Sequence, residues 1–283
     1  MNTIDTINAD IRQLQLVKSM ATVYGGLAAA KVAQIREGIL ASRLYLEEMH
    51  ILANQVYAAS HKDTARDKGF KTKSLLPQNG KTLRIILGSQ TRLYGELVKQ
   101  VFDFFSDAYM PQSDDVLISG AVTNQLFSDR FPNQQAATLE LSDYRFTPED
   151  VVPFVAQAKN YEHIYVYYGK YQNPFNQKAA VFVLSDAANS SEKEVRPVKF
   201  TFEPNLDALI AYIEQEIITT LFIQILGESL LAKQASRLKA TDRMFEATKD
   251  RLSETNQSLR LATHQLRNKR QGDQMQLIVG RLG

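Results

Sequence analysis

No proline follows Pro204, and within that stretch one position repeats every seven residues without a break: Leu231, Leu238, Phe245, Leu252, Leu259 and Leu266. Three residues after the later members come Thr241, Thr248, Thr255 and Ala262. Large residues alternating with small ones on a seven-residue repeat form the seam of a coiled coil. About 75 helical residues at about 1.5 Å rise make a rod of roughly 110 Å, so the stripe needs a partner over a long distance. The beginning of the chain supplies one. Ile4, Ile11, Val32, Ile39 and Leu46 share one heptad position, and Ile7, Leu14, Ala21, Ala28, Ile35, Met49 and Val56 lie three residues later. Two heptad helices that bracket a middle of different composition predict an antiparallel pair with a compact insert.

The insert alternates short apolar runs with amphipathic stretches. Leu83–Leu87, Val116–Ser119, Leu139–Leu141, Ile164–Tyr168, Ala180–Leu184 and Val198–Phe202 are the predicted extended segments. Helices are predicted over Leu93–Asp107, Ala121–Phe131 and Pro148–Asn160, the last with Thr147 as cap and Pro148 in its first turn. The predicted fold class is α/β: a long antiparallel two-helix coiled coil formed by the N- and C-terminal helices, with an inserted Rossmann-like α/β domain on a mixed sheet. The expected divisions are an N-terminal helix over 1–60, an α/β foot over 75–203 and a C-terminal helix over 204–283.

Composition narrows the function classes. A formal net charge of +2 with 23% charged residues gives no global field for nucleic acid or an anionic membrane. The absence of cysteine excludes disulfides, thiolate metal sites and cysteine nucleophiles, and suits a reducing compartment. The most apolar segment, Ile217–Leu231, is interrupted by Thr219, Thr220, Gln224, Gly227 and Glu228, and no leader-like segment opens the chain. A cytosolic or peripherally attached protein is expected. His50, His61, His163 and His264 are scattered without chelating spacing, so no metal site is expected. Gly80-Lys81-Thr82 lacks the glycine five residues earlier that a P-loop requires, and it precedes a strand. Gly88 and Gly95 follow the first strand without the G-x-G-x-x-G spacing of a dinucleotide site. The adjacent pairs Asp114-Asp115 and Glu47-Glu48 read as solvated surface. The tyrosines at 161, 165, 167, 168 and 171 read as packing rather than base stacking. No catalytic residue and no cofactor are expected. Arg260, Arg267, Lys269, Arg270 and Arg281 make one end of the rod basic, either as a solvated face or as a contact for acidic loops.

Local motifs along the chain resemble the gamma subunit of F-type rotary ATP synthases. Lys18-Ser19-Met20 is similar to that family's Lys-Ala-Met, and Ala28-Ala29-Ala30-Lys31 to its Ala-Ala-Ala/Ser-Lys. Ala41-Ser42-Arg43 with Tyr45 and Met49, Phe200-Thr201-Phe202-Glu203-Pro204, Ala235-x-Arg237 and Ile278-Val279-Gly280 match further family signatures in order. Departures mark a divergent member. Tyr94-Gly95-Glu96 stands for the family's Cys-Gly-Gly, and Gln90 stands for its aspartate. Of the polar residues that the family places near the tip, Arg267 alone is kept, with His264, Asn268, Gly272 and Gln274 at the others. Relative to the family's spacing, residues 21–27 and the interval between Asp242 and Arg267 each carry about four extra residues, one helical turn, expected to lie opposite one another and compensate.

The resemblance implies a non-catalytic central shaft that couples ion-driven rotation to ATP synthesis or hydrolysis. Its implied partners are a hexameric ring of alpha and beta nucleotide-binding subunits, an epsilon-type subunit and a membrane rotor ring of c-type subunits, with no nucleic acid. It implies a peripheral membrane protein on the cytoplasmic face of a bacterial plasma membrane. Lys18, Lys31, Arg260 and Arg267 are the candidate contacts to the catalytic ring, and Phe200, Phe202 and Glu203 to the rotor ring. Two other classes remain open on the residues alone: a coiled-coil tether with an α/β head, and a nucleotide-binding enzyme. A shaft repurposed for another ATPase-driven motor is a variant of the first reading.

Overall fold

A computed structural model describes residues 3–63, 76–185 and 206–282. Along the chain come α1 (Thr3–Asp63), β1 (Thr82–Leu87), α2 (Leu97–Ala108), β2 (Asp114–Ser119), α3 (Ala121–Arg130), β3 (Ala137–Leu139), α4 (Pro148–Ala158), β4 (His163–Asn173), β5 (Asn176–Val183) and α5 (Leu206–Leu282). They form two compact units. One joins Met1–Ala28 to Leu238–Gly283; the other is Ala29–Arg237.

In the first unit, burial follows the heptads. Ile4, Ile7, Ile11, Leu14, Ala21 and Ala28 of α1 are more covered than the residues on the outer face, as are Leu238, Thr241, Phe245, Thr248, Leu252, Leu259 and Leu266 of α5. Gly25 lies beside Thr241, where an added Cβ would sit 3.2 Å from the threonine Oγ1, and Lys18 lies over the Phe245 ring. Sequence numbers rising on one helix while they fall on the other make the pair antiparallel. The small residues at 21, 25 and 28 let the two backbones approach. Residues 21–27 lie level with about 238–244, a stretch that overlaps the start of the 242–267 interval, and the seam burial on both helices steps by three and four residues throughout.

The second unit is built on a five-stranded mixed sheet of order β3-β2-β1-β4-β5, with β5 antiparallel to β4 and the other pairs parallel. The central strand β1 is an almost unbroken apolar run because both of its faces are covered. Its alternate residues separate two cores. Leu83, Ile85 and Leu87 join Val151, Phe154 and Val155 of α4, Met49, Ala53 and Val56 of α1, and the α5 residues from Ile213 to Leu226. Ile86 on the opposite face meets Val101, Phe102 and Phe105 of α2 and Phe127 of α3. One 18-residue window within α5 reaches a mean hydropathy of 1.5, enough for a membrane span by composition alone. Its apolar side chains line this core instead: Ile217, Leu221, Phe222, Ile225 and Leu226 are all buried against the domain.

Several details differ from the sequence reading. α2 starts four residues later than predicted, because Leu93 and Gly95 both take positive φ (77° and 57°) and hold the preceding loop out of the helix. β3 ends at Leu139, where the prediction began it. The β4–β5 hairpin is longer than the apolar run alone suggested. α4 matches its start signal, with Thr147 and Asp150 forming a capping box behind Pro148. Asp114 is not a solvated acid: its carboxylate pairs with Arg84 on the neighbouring strand and is buried. Tyr167 and Tyr168 pack inside the domain, Tyr167 against Phe104 and Phe105. The predicted strand Val198–Phe202 lies outside the described residues.

Candidate functional site

The sequence candidates do not converge on one place. Lys18 occupies a seam position of α1, with its ammonium 5.2 Å from the centre of the Phe245 ring, so part of its charge is spent on that ring face. Lys31 donates to Gln34 Oε1 at 2.8 Å. It borders an open groove of about 300 Å³ lined also by Ile35, Gly38, Tyr144, Arg145 and Phe146. Arg260 and Arg267 are exposed on α5. Phe200, Phe202 and Glu203 lie outside the described residues.

The glycine-containing segments are structural. Gly80 N–H donates to Glu162 Oε2, and Lys81 O accepts from Glu162 N and His163 N, which ties that loop to the start of β4. Gly88 stands where a Cβ would fall 1.7 Å from Thr123 Oγ1. Gly120, at φ +100°, stands where one would fall 2.5 Å from the Ser89 backbone. These two glycines let the β1–α2 and β2–α3 connections interlock, through Gly88 N to Ser119 O and Val122 N to Ser89 O. Among the described residues no group of three or more His, Cys, Asp or Glu has the placement to hold a metal.

A dense polar cluster lies at the carboxyl end of the parallel strands, and the sequence reading missed it. Asp143 is buried there. Its Oδ2 accepts from Gln90 N (3.0 Å), Thr91 N (2.8 Å) and Thr91 Oγ1 (2.9 Å). Lys233 of α5 donates to Asp143 Oδ1 at 3.3 Å and to Gly88 O at 2.9 Å. Gln234 Nε2 donates to Asp143 O, and Ser236 Oγ donates to Tyr94 O. Arg237 donates to Thr91 Oγ1 at 3.0 Å, and its guanidinium lies 4.1 Å from the Tyr94 ring centre and 5.2 Å from that of Tyr144. Burial works to raise the Asp143 pKa, but Lys233 and the loop N–H groups outweigh it and hold the carboxyl below its ordinary value. Burial pulls the Lys233 amine down, with the Asp143 carboxylate opposing. A second tie joins β4, α5 and α1: Tyr168 OH donates to Glu228, which faces Arg43 at 4.0 Å. The signal available in the sequence was a lysine and an arginine four residues apart, Lys233 and Arg237, following directly on the most apolar segment of α5.

This architecture of two long paired terminal helices and a mixed sheet is met again among known proteins. A family model described as ATP synthase matches residues 3–273. The chain belongs to the ATP synthase gamma family. An ATP synthase gamma chain of Pelotomaculum thermopropionicum is 23% identical over 272 residues, covering 93% of both chains. A central-stalk chain of the Tetrahymena thermophila mitochondrial ATP synthase shares the fold at a TM-score of 0.56 and 15% identity, over 79% of this chain and 98% of that one. A chain of the Euglena gracilis mitochondrial ATP synthase does so at 0.57 and 10%, over 89% and 95%. This gamma-family chain is thus a central-stalk subunit of a rotary, multisubunit, membrane-associated ATP synthase.

Proposed function

We propose that this chain turns as the shaft inside a hexameric ring of alpha and beta nucleotide-binding subunits, with its α/β domain as a foot on a ring of c-type subunits beside an epsilon-type subunit. The ATP chemistry lies in the surrounding ring and none in this chain. The complex sits on the cytoplasmic face of a bacterial plasma membrane. The working parts are the divisions 1–60, 75–203 and 204–283. Paired helices resist torsion, and a surface that differs from side to side favours a different state of each surrounding site at each angle, which is coupling by differential contact. Lys18, Lys31, Arg260 and Arg267 face acidic loops of the catalytic ring in this reading, and Phe200, Phe202 and Glu203 face the rotor ring.

The observation that carries the reading is the family match over residues 3–273 on a chain whose two terminal helices pair. Its test is purification of the tagged chain from native membranes. ATPase subunits and a small hydrophobic ring protein are expected to come down together with it. A chain that comes down without them, or that hydrolyses ATP by itself, overturns the proposal.

A further inference from the structure

In a sheet of order β3-β2-β1-β4 with parallel strands, the crossovers leave β1 in opposite directions, and the crevice beyond the carboxyl ends of β1 and β4 is where such folds bind ligands. The loop after β1 commonly offers its backbone N–H groups to a phosphate there. In this chain the loop's donors are already committed. Gln90 N, Thr91 N and Thr91 Oγ1 converge on a single oxygen of Asp143. The start of α3 is also satisfied from within, by Gln90 Oε1 on Ala121 N and Ser89 O on Val122 N.

The other oxygen of that carboxylate takes Lys233, and the neighbouring residues of α5 repeat the pattern. Lys233, Gln234, Ser236 and Arg237 are buried polar residues, and each bonds to the β1–α2 loop or to Asp143. Apolar contact alone would bury this stretch of helix while tolerating small slides and rotations. Directional bonds between buried polar groups admit one register, because any slip leaves several of them unmet.

We propose that the carboxyl end of the sheet is an anion cradle occupied by the chain's own Asp143, and that the Asp143–Lys233 and Thr91–Arg237 bonds latch α5 to the β1–α2 loop so that torque passes between shaft and foot. The latch in this form rests on the rotor reading above; the cradle does not.

Two experiments separate them. In the first, the full-length Asp143→Ala chain is melted in sodium formate, with sodium chloride and formamide as controls. Formate alone is expected to raise its melting temperature, and to leave the wild type unmoved. Equal effects of the three additives, or none, overturn the cradle. In the second, complexes carrying Asp143→Ala or the uncharged pair Asp143→Asn/Lys233→Met are reconstituted into vesicles. The pair keeps an acceptor for the loop and leaves no buried charge unpaired, so it guards against simple misfolding. ATP hydrolysis is expected to continue while ions pumped per ATP fall several-fold, with formate restoring pumping only in Asp143→Ala. Wild-type pumping by the pair at normal hydrolysis overturns the latch. A wild-type chain that joins no ATPase overturns the rotor reading and leaves the formate melt to judge the cradle by itself.

Discussion

Replacing Lys233 with methionine tests the energetics of the cluster directly. The ammonium and the Asp143 carboxylate are 3.3 Å apart, and both side chains are at least nine-tenths buried. At an effective dielectric of about 20 their attraction is about 5 kcal/mol, set against a desolvation cost of several kcal/mol per ion. The intact pair therefore contributes little net stability, whereas removing one member strands the other. Lys233→Met leaves a buried carboxylate with three loop donors but no counter-charge, and leaves Gly88 O without its lysine donor. The expected cost is about 3–5 kcal/mol. In an Asp143→Asn background no anion is stranded, and the same substitution is expected to cost about 2–4 kcal/mol less. Urea denaturation of the four full-length chains, read by circular dichroism, gives this double-mutant cycle. A coupling energy within about 0.5 kcal/mol of zero would refute the reasoning, because two independent sites add within that margin.

Further outcomes follow from other parts of the molecule. Gly120→Ala places a Cβ 2.5 Å from the Ser89 backbone at a φ of +100°, so a loss of about 3 kcal/mol or more is expected in the same assay. Ala28→Leu forces a large side chain into the buried seam of the helix pair, and should lower stability by about 1–3 kcal/mol by thermal melting. Because the folded Asp143 pKa is depressed, its contribution is present above the ordinary carboxylate value of about 4 and is lost as pH falls through the depressed value. Lys233 faces that carboxylate, and the β1–α2 loop donors fill its other oxygen, so a pH titration of urea midpoints should show a shallower acid limb for Asp143→Asn than for wild type. Arg260→Glu/Arg267→Glu reverses two exposed charges on α5 and, if these meet acidic ring loops, should reduce ATP-driven ion pumping at low salt more than at high salt, while the isolated chain melts as wild type does.

Much of the architecture was legible because it rests on local repetition. A seam residue is covered because of its place in the heptad, so Leu238, Phe245 and Leu252 announced their partial burial without knowledge of their partners. Strand β1 announced itself as a strand by its apolar run, and α4 its start by Thr147 and Pro148. Legibility failed where a residue's surroundings come from elsewhere. Asp114 looked like half of a solvated acidic pair, yet its neighbour is Arg84 on the adjacent strand, thirty residues earlier. Leu93 looked like the first apolar residue of α2, yet the loop that interlocks with Gly120 turns it to positive φ.

The sequence by itself determined two heptad helices, an α/β insert and a family likeness, since each is written in short-range spacing that survives without a folded context. The tertiary structure alone decided what holds the end of the apolar stretch of α5 in place. Asp143 and Lys233 are separated by 90 residues, and no periodicity links them. They meet because the crossovers of a parallel sheet bring the β1–α2 loop, the segment before α4 and the last helix to one edge. A buried charge there has a counter-charge only through that convergence.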